Sequence, residues 1–431
     1  MYSGVKIKKT IGKWCHFLLG KKISGILGMD RYVHIPELDG IRAIAVLMVF
    51  IYHAWGNSGI PELNIFGWDI TFLLSWGHPG VNLFYVLSGF LLFIPFANYY
   101  YNANKCVIQP SLKKYFIRRA LRILPVYYVF LVLNILLTNN VTILSTEGVK
   151  KLFINIFFLQ GFFPEHMING VTWTLSNEVQ FYILLPFIAR YFIGRRALIA
   201  FPATLALVII YRIVCFFIYN PNIDSIDWKY YYLTEYNILG CIDNFTIGMT
   251  ISSIFYYKKI GKNRHVDNLI ISARYLTWLT PLFFGMLFYT YYSWRFKQNS
   301  HFSWFFFSFG FDFFLYILFA LIFLYVLFHK SLLTTFLSNT YLRIIGVIGY
   351  SVYIWHLPLM DSLNKTNFIN SAEGWEKFYR LIPFSLLVIL PFSFFMFILV
   401  EKYFIDLSSS LTKKHEDGMA SAKPVKNKIT F

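Results

Sequence analysis

The chain has 431 residues, of which 57% are hydrophobic, 21% aromatic and 14% charged, and its formal net charge is +18. Soluble domains carry about 25% charged residues, and so apolar a chain lacks the polar surface to cover an aqueous core. A soluble globular protein is excluded, and lipid is the expected solvent. The positive charge does not point to nucleic acid, because Lys and Arg sit in short clusters between apolar runs, as they do beside membrane spans. An anionic leaflet of membrane lipid or an anionic substrate is the expected partner of the excess.

Residues 1–34 interleave Lys6, Lys8, Lys9, Lys13, Lys21 and Lys22 with Ile7, Ile11, Trp14, Phe17, Leu18 and Ile26, and show no cleavable-signal pattern. They read either as an amphipathic helix on the inner leaflet or as a disordered basic tail. A span needs about 20 mostly apolar residues. Such stretches fall near 41–57, 80–98, 123–138, 173–193, 197–218, 237–257, 276–293, 304–328, 344–362 and 381–403. The basic runs Lys105 to Arg122, Arg190 to Arg196, Lys258 to Arg274 and Lys402 to Lys428 fall on one side of this arrangement, with the N-terminal cluster. The positive-inside rule makes that side cytoplasmic.

The expected fold is therefore all-α: a polytopic protein of the inner (cytoplasmic) membrane, with about ten spans and both termini cytoplasmic. The expected units are a basic segment 1–34, a transmembrane domain 35–405 and a polar cytoplasmic tail 406–431, disordered from about Leu407. Residues 152–163 are apolar but too short to span, which suits an interfacial or re-entrant segment. Residues 219–236 read as an outer loop at headgroup level, with Asp224, Asp227 and Glu235 among tyrosines. Cys15, Cys106, Cys215 and Cys241 show neither a CxxC pair nor metal-ligand spacing, so no disulfide framework and no metal site is expected.

A charge at the centre of a span costs about 2.5–3.5 kcal/mol on insertion scales, so each one needs a reason. In PELDGIRAIAVLMVFIYHAW, Arg42 and His53 are three helical turns apart with about 20° of drift, which puts both on one face about 16 Å apart. Singly, a snorkelling Arg and a carbonyl-bonded His are ordinary; as a pair on one face they are candidates for chemistry. In the next span Asn82, Ser88 and Gly89 form a polar, small-residue strip. Close helix approach accounts for Gly89, whereas Asn82 needs a partner or a wet cavity.

Arg118, Arg119 and Arg122 precede the third span, and Arg119 and Arg122 are i,i+3 neighbours. That spacing suits a phosphate or pyrophosphate, although composition alone favours plain anchoring at the inner face. Glu178 lies about one turn into the next apolar helix, where the helix dipole favours it, amid Thr172, Trp173, Thr174, Ser176, Asn177 and Gln180. Arg212, Asp243, Asp312 and His356 follow singly in apolar runs, and Arg212 with Asp243 is a candidate ion pair between adjacent helices.

The segments LDGIRAIAVLMVFIYHA, GVNLFYVLSGFLL, FIRRALRILPVYY, TWTLSNEVQFYILLPF and YSVYIWHLPL, in that order, resemble the acyltransferase-3 family of integral membrane O-acyltransferases. The resemblance covers roughly residues 35–405. The family's basic residue, ten intervening residues and His match Arg42 and His53, and its two arginines three apart match Arg119 and Arg122. Its Trp-x-Leu-Ser-x-Glu motif matches Trp173 to Glu178, and its Tyr-Ser-x-Tyr-x-x-His motif matches Tyr350 to His356. Asn82 departs from the Asp of many members. Only a short tail follows the apolar core, so the SGNH-type domain of some members is expected to be absent or replaced by a separate protein.

The resemblance implies an O-acetyltransferase that takes acetyl from cytoplasmic acetyl-CoA, without a metal. Its acceptor would be a hydroxyl of a lipid-linked or cell-surface polysaccharide of the cell envelope. Under it, His53 is the general base or a covalent acyl carrier, working with Arg42 and with Glu178, which would orient His53 or bind the acceptor. Arg118, Arg119 and Arg122 would hold the CoA phosphates, and Asn82, Ser88, Trp173, Ser176, Tyr353 and His356 would line the site. The rival class is a transporter or flippase of lipid-linked sugars, but no internal repeat and no matched pair of broken helices accompanies the apolar runs.

Overall fold

A computed structural model describes residues 35–60, 77–101, 109–138, 145–219, 228–260 and 301–420. It also describes, in shorter pieces, 25, 27, 64–65, 68–69, 71, 74, 268, 270–272, 275 and 279–287. Most of the segment 1–34, half of the span expected at 276–293, the first half of the loop 219–236, and Cys15 and Cys106 lie outside the described residues.

Helix α1, Pro36–Ser58, has Pro36 in its first turn, where the missing N–H costs nothing. Glu37 and Asp39 sit at its positive end, and it stops at Gly59, whose φ of 71° is left-handed. Next come α2 (Gly77–Tyr101), α3 (Leu112–Thr138), α4 (Thr146–Ile156) and α5 (Trp173–Ile188). They are followed by α6 (Ala197–Tyr219), α7 (Trp228–Glu235), α8 (Ile238–Ile260) and α9 (His301–Phe328). The chain continues through α10 (Leu332–Leu337), α11 (Thr340–Val347), α12 (Gly349–Asn364) and α13 (Asn367–Asn370) to α14 (Gly374–Met396) and α15 (Lys402–Ala420). A two-residue β-bridge, Asn64–Ile65 against Trp68–Asp69, is the sheet content of the described residues.

Among the described residues, seven stretches are long and apolar enough to cross a membrane, and α11 with α12, bent by 70° at their junction, makes an eighth. The protein is thus an all-α polytopic membrane protein. The span expected at 173–193 is shorter than foreseen: α5 has 16 residues, about 24 Å against roughly 30 Å of hydrocarbon, and passes into a 3-10 turn at Ala189–Phe192. Helices α2 and α8 form the interior, with 72% of each spanning window buried, whereas α6 is 17% buried and shows Ile199, Leu207 and Phe217 to lipid.

The two inner helices meet through glycines. A Cβ on Gly89 would collide with the Phe245 carbonyl, and one on Gly248 with the Val86 carbonyl, so both positions need a bare backbone for the close approach. Gly40 and Gly346 play the same part where α1 meets the Leu337 carbonyl and α11 meets that of Asp39.

The apolar segment 152–163 does not span. Ser145 caps α4 by accepting from the Gly148 N–H at 3.0 Å, and the helix ends before Phe158. Among the described residues, Phe158 is the one non-glycine with positive φ, 57°, a region that costs an L-residue about 1–2 kcal/mol. Its carbonyl accepts from Ser176 Oγ at 2.5 Å and Gln180 Nε2 at 2.9 Å, which hold the turn against α5.

Two expectations are corrected. Arg212 pairs with Asp312 rather than Asp243; it also donates to the Gly240 carbonyl at 2.8 Å, and Glu235 lies 3.9 Å away. Asp243 instead accepts from the Tyr316 hydroxyl at 2.7 Å and the Asn244 N–H at 2.9 Å, so the two acids divide the donors of α6, α8 and α9. The segment from Leu407 is helical to Ala420 rather than disordered. Arg118 of α3 donates to Thr412 Oγ1 at 3.0 Å, a long-range partner that the polar composition of this segment does not reveal. Cys215 and Cys241 are free and buried.

Candidate functional site

Helices α1, α2, α3, α5 and α12 enclose a cavity of about 110 Å³. Arg42 enters from α1, Ser88 from α2, Arg119 and Arg122 from α3, Glu178 and Tyr182 from α5, and Tyr350 and Tyr353 from α12. The i,i+3 step puts Arg119 and Arg122 on one face of α3. Gly349 leaves the space through which the Arg42 stem passes, its Cγ and Cδ lying 3.5 Å from where a glycine Cβ would be. Three guanidiniums against one carboxylate leave the lining cationic. Arg119 Nε is buried without a hydrogen-bond partner, an uncommon state for a buried donor.

The acids around the arginines are fixed. Asp39, 1% exposed, lies 3.2 Å from Arg42 Nη1 and 3.6 Å from Arg343 Nε. Glu178 Oε1 accepts from Ser88 Oγ and from Tyr182 Oη, each at 2.8 Å. Fully buried Glu401 accepts from Ser351 Oγ at 2.8 Å and sits within electrostatic reach of Arg122 and Arg42. It ends a π-helical turn, Phe397–Glu401, between α14 and α15. Such turns gather at functional positions.

His53 does not line this cavity. Its Nδ1 lies 2.9 Å from the Val49 carbonyl and 3.1 Å from Nε2 of His356, whose own Nδ1 is 2.5 Å from the Tyr353 carbonyl. Tyr353 lines the cavity and also touches the histidine pair. Its ring lies 5.6 Å from that of His356 and 5.8 Å from that of Phe84, and its hydroxyl accepts from Thr174 Oγ1 at 2.8 Å.

The residues singled out by sequence therefore divide. Arg42, Ser88, Arg119, Arg122, Glu178 and Tyr353 share the cavity, while His53 and His356 form a pair beyond Tyr353. Arg118 is turned to Thr412 and does not line the cavity. Nor does Glu178 bond to His53; it accepts from Ser88 and Tyr182. Trp173 stacks on Tyr236 at 4.1 Å, Ser176 holds the Phe158 turn, and Asn82 is buried with Nδ2 unpartnered. Sequence reading missed Asp39, Tyr182, Ser351 and Glu401. Tyr182 carried a signal, standing one turn beyond Glu178, and Ser351 lies within the tyrosine motif.

Together these features define a polytopic membrane protein with a buried, cation-lined cavity and an imidazole pair one layer beyond it. The chain belongs to the acyltransferase-3 family: the model described as an acyltransferase domain matches residues 35–401. Membership sets it among acyltransferases and away from the transporter class. The chain is 26% identical over 386 residues, 85% of its length, to a Bacillus subtilis (strain 168) protein whose name provisionally assigns it as the peptidoglycan O-acetyltransferase YrhL. It is 27% identical over 355 residues, 77% of its length, to the O-acetyltransferase OatA of Staphylococcus aureus (strain NCTC 8325 / PS 47). It spans 55% and 51% of these two relatives, about half of each. No solved structure matches it.

Proposed function

We propose that this protein moves an acetyl group from acetyl-CoA, on the side of the basic loops, to a hydroxyl of a lipid-linked or cell-surface polysaccharide. The observation that carries this reading is the cavity, where three guanidiniums converge inside the helical core with one donor unpartnered. Arg119 and Arg122 suit the phosphates of the donor, which two planar forks hold better than point charges. Arg42, about 16 Å along α1 from His53, stands where the pantetheine arm would enter. Similarity to proteins named as O-acetyltransferases supports the acetyl group and the hydroxyl acceptor.

In the transfer, the acceptor hydroxyl gives its proton to neutral His53. Its oxygen attacks the thioester carbonyl, the C–S bond breaks, and the departing thiolate recovers the proton. Tyr353 lines the cavity and its ring touches His356, so in this reading the donor carbonyl passes that ring to reach His53. The same passage serves if His53 carries the acetyl group covalently.

The test is acetyl transfer or acetyl-CoA hydrolysis by purified protein in liposomes, with mass spectrometry of envelope glycans from deletion and complemented strains. Acetyl-CoA turnover and a glycan acetyl group that returns only on complementation are expected. Absence of both, with folded protein, overturns the reading.

A further inference from the structure

We infer that His356 is a positioning residue: it accepts a hydrogen bond from His53 Nδ1 and so leaves His53 Nε2 as the nitrogen that takes the acceptor's proton. This rests on the proposed transfer reaction for its catalytic meaning, but the hydrogen-bond chain stands on geometry alone. A carbonyl oxygen only accepts, so His356 Nδ1, 2.5 Å from the Tyr353 carbonyl, carries the proton of that ring. Its Nε2 is then a lone pair. His53 Nδ1 faces that lone pair at 3.1 Å and the Val49 carbonyl at 2.9 Å. Both are acceptors, so the proton of a neutral His53 belongs on Nδ1.

The two acceptors differ in what they do. Val49 lies one turn back on the helix that carries His53 and moves with it. His356 comes from α12, 303 residues away in sequence, and ties the imidazole to the second wall of the site. When His53 takes up a proton, the Nδ1–H bond to His356 becomes charge-assisted and about twice as strong. His356 therefore favours the protonated intermediate, as an acidic partner does in a hydrolytic triad, but without placing a second charge in the membrane. Burial supports the assignment: His356 is 1% exposed and its ring is 4.9 Å from that of His53.

Substitution separates positioning from packing. His356→Gln can present an amide oxygen near the former Nε2, whereas His356→Leu fills similar volume without an acceptor. In liposomes at equal protein, kcat is expected to fall about tenfold to a hundredfold in His356→Leu, with KM for acetyl-CoA unchanged and most of kcat restored in His356→Gln. Equal kcat for wild type and His356→Leu overturns the role. Nitrogen-15 NMR of histidine-labelled protein gives a readout independent of turnover: His53 is expected as the Nδ1–H tautomer. Finding the proton on Nε2 overturns the inference even if transfer is observed. An inactive wild type with His53 in the Nδ1–H form overturns the proposed reaction and leaves the hydrogen-bond chain intact.

Discussion

Ser88 of α2 donates to Glu178 Oε1 of α5 at 2.8 Å, joining two helices that are 90 residues apart in sequence through one carboxylate oxygen. Tyr182 donates to the same oxygen at 2.8 Å, so that atom is committed as an acceptor from both sides. The carboxylate is thereby held in the cavity that Arg42, Arg119 and Arg122 also line.

Loosening that carboxylate should cost turnover rather than fold. A hydrogen bond to a charged group contributes about 1.5–3 kcal/mol, so Ser88→Ala should lower kcat about tenfold or more, and Glu178→Gln further. Ser176→Ala, which frees the strained Phe158 turn instead, should lower the thermal midpoint with a smaller effect on kcat. Kinetics and melting on the same preparations check both. Equal kinetic losses in Ser88→Ala and Ser176→Ala would remove Ser88 from the site.

The arginines of α3 should report on the donor. Changing Arg119 and Arg122 together to Ala should raise the KM for acetyl-CoA about tenfold to a hundredfold, the loss of one or two charge-assisted bonds. Membrane insertion should persist, because Lys113, Lys114 and Arg118 still mark the same side. Arg118→Ala, which loses its bond to Thr412 on α15, should leave that KM near wild type. A fall in abundance with unchanged KM would reduce Arg119 and Arg122 to anchors.

Periodicity made α1 legible: a helix of 3.6 residues per turn places Arg42 and His53 on one face whatever surrounds them. The tight place for Gly89 was equally readable, since a glycine beside polar small residues in a span marks helix contact. What could not be read is what lies between the two ends of that face. Tyr353, which lines the cavity with Arg42 and touches His356, is brought in by α12 from about 300 positions away, and no local pattern encodes that contact. The choice of Asp312 over Asp243 for Arg212 is likewise tertiary, because both acids are equally apolar in context. Glu401 was hidden by its neighbour: beside Lys402 at the end of an apolar run it reads as a helix-end charge. The π turn carries it inward.

The sidedness of the chain is an expectation from its basic loops, and hydrogen bonds bring several helix ends together. Tyr101 at the end of α2 accepts from the Gly194 N–H at 2.7 Å and contacts Ser253 at 2.6 Å, gathering three basic-flanked ends. At the other end of α1, Asn57 donates to Asp361 at 3.3 Å. In a background lacking native cysteines, Asn370→Cys should react with an impermeant maleimide from outside the cell, and Lys113→Cys only after lysis. The reverse pattern would invert the orientation and the donor side with it.

Gly89 and Gly56 should respond oppositely to one substitution. Ala at 89 drives a methyl group into the Phe245 carbonyl, whereas nothing lies within 4 Å of a Cβ at 56. Overpacking costs about 1–3 kcal/mol or more, so Gly89→Ala should lower the melting midpoint in detergent. Gly56→Ala, within α1, should hold or raise it, by up to about 1 kcal/mol from helix propensity. A stable Gly89→Ala protein would mean that α2 and α8 do not meet this closely.

His53 is the group on which the proposed chemistry depends most. It is the one imidazole of α1, a group suited to accept an alcohol's proton near neutral pH, and its Nδ1 is occupied by Val49 and His356. His53→Ala should abolish transfer while the protein inserts and accumulates normally, because the ring contributes one interhelical bond and no ion pair. His53→Gln should also be inactive: it retains hydrogen bonding but can neither take up the proton nor carry an acyl group. General-base loss corresponds to about a hundredfold to ten-thousandfold, and loss of a covalent carrier to at least as much. His356→Ala should lose less, since Val49 still holds the Nδ1 proton on the same helix. Arg42→Ala should fail for a different reason, taking from the buried Asp39 carboxylate its Arg42 partner, and should therefore lower stability as well as turnover. Acetyl transfer by His53→Gln at the wild-type rate, in membranes with matched protein levels, would refute the base and the acyl-carrier roles together.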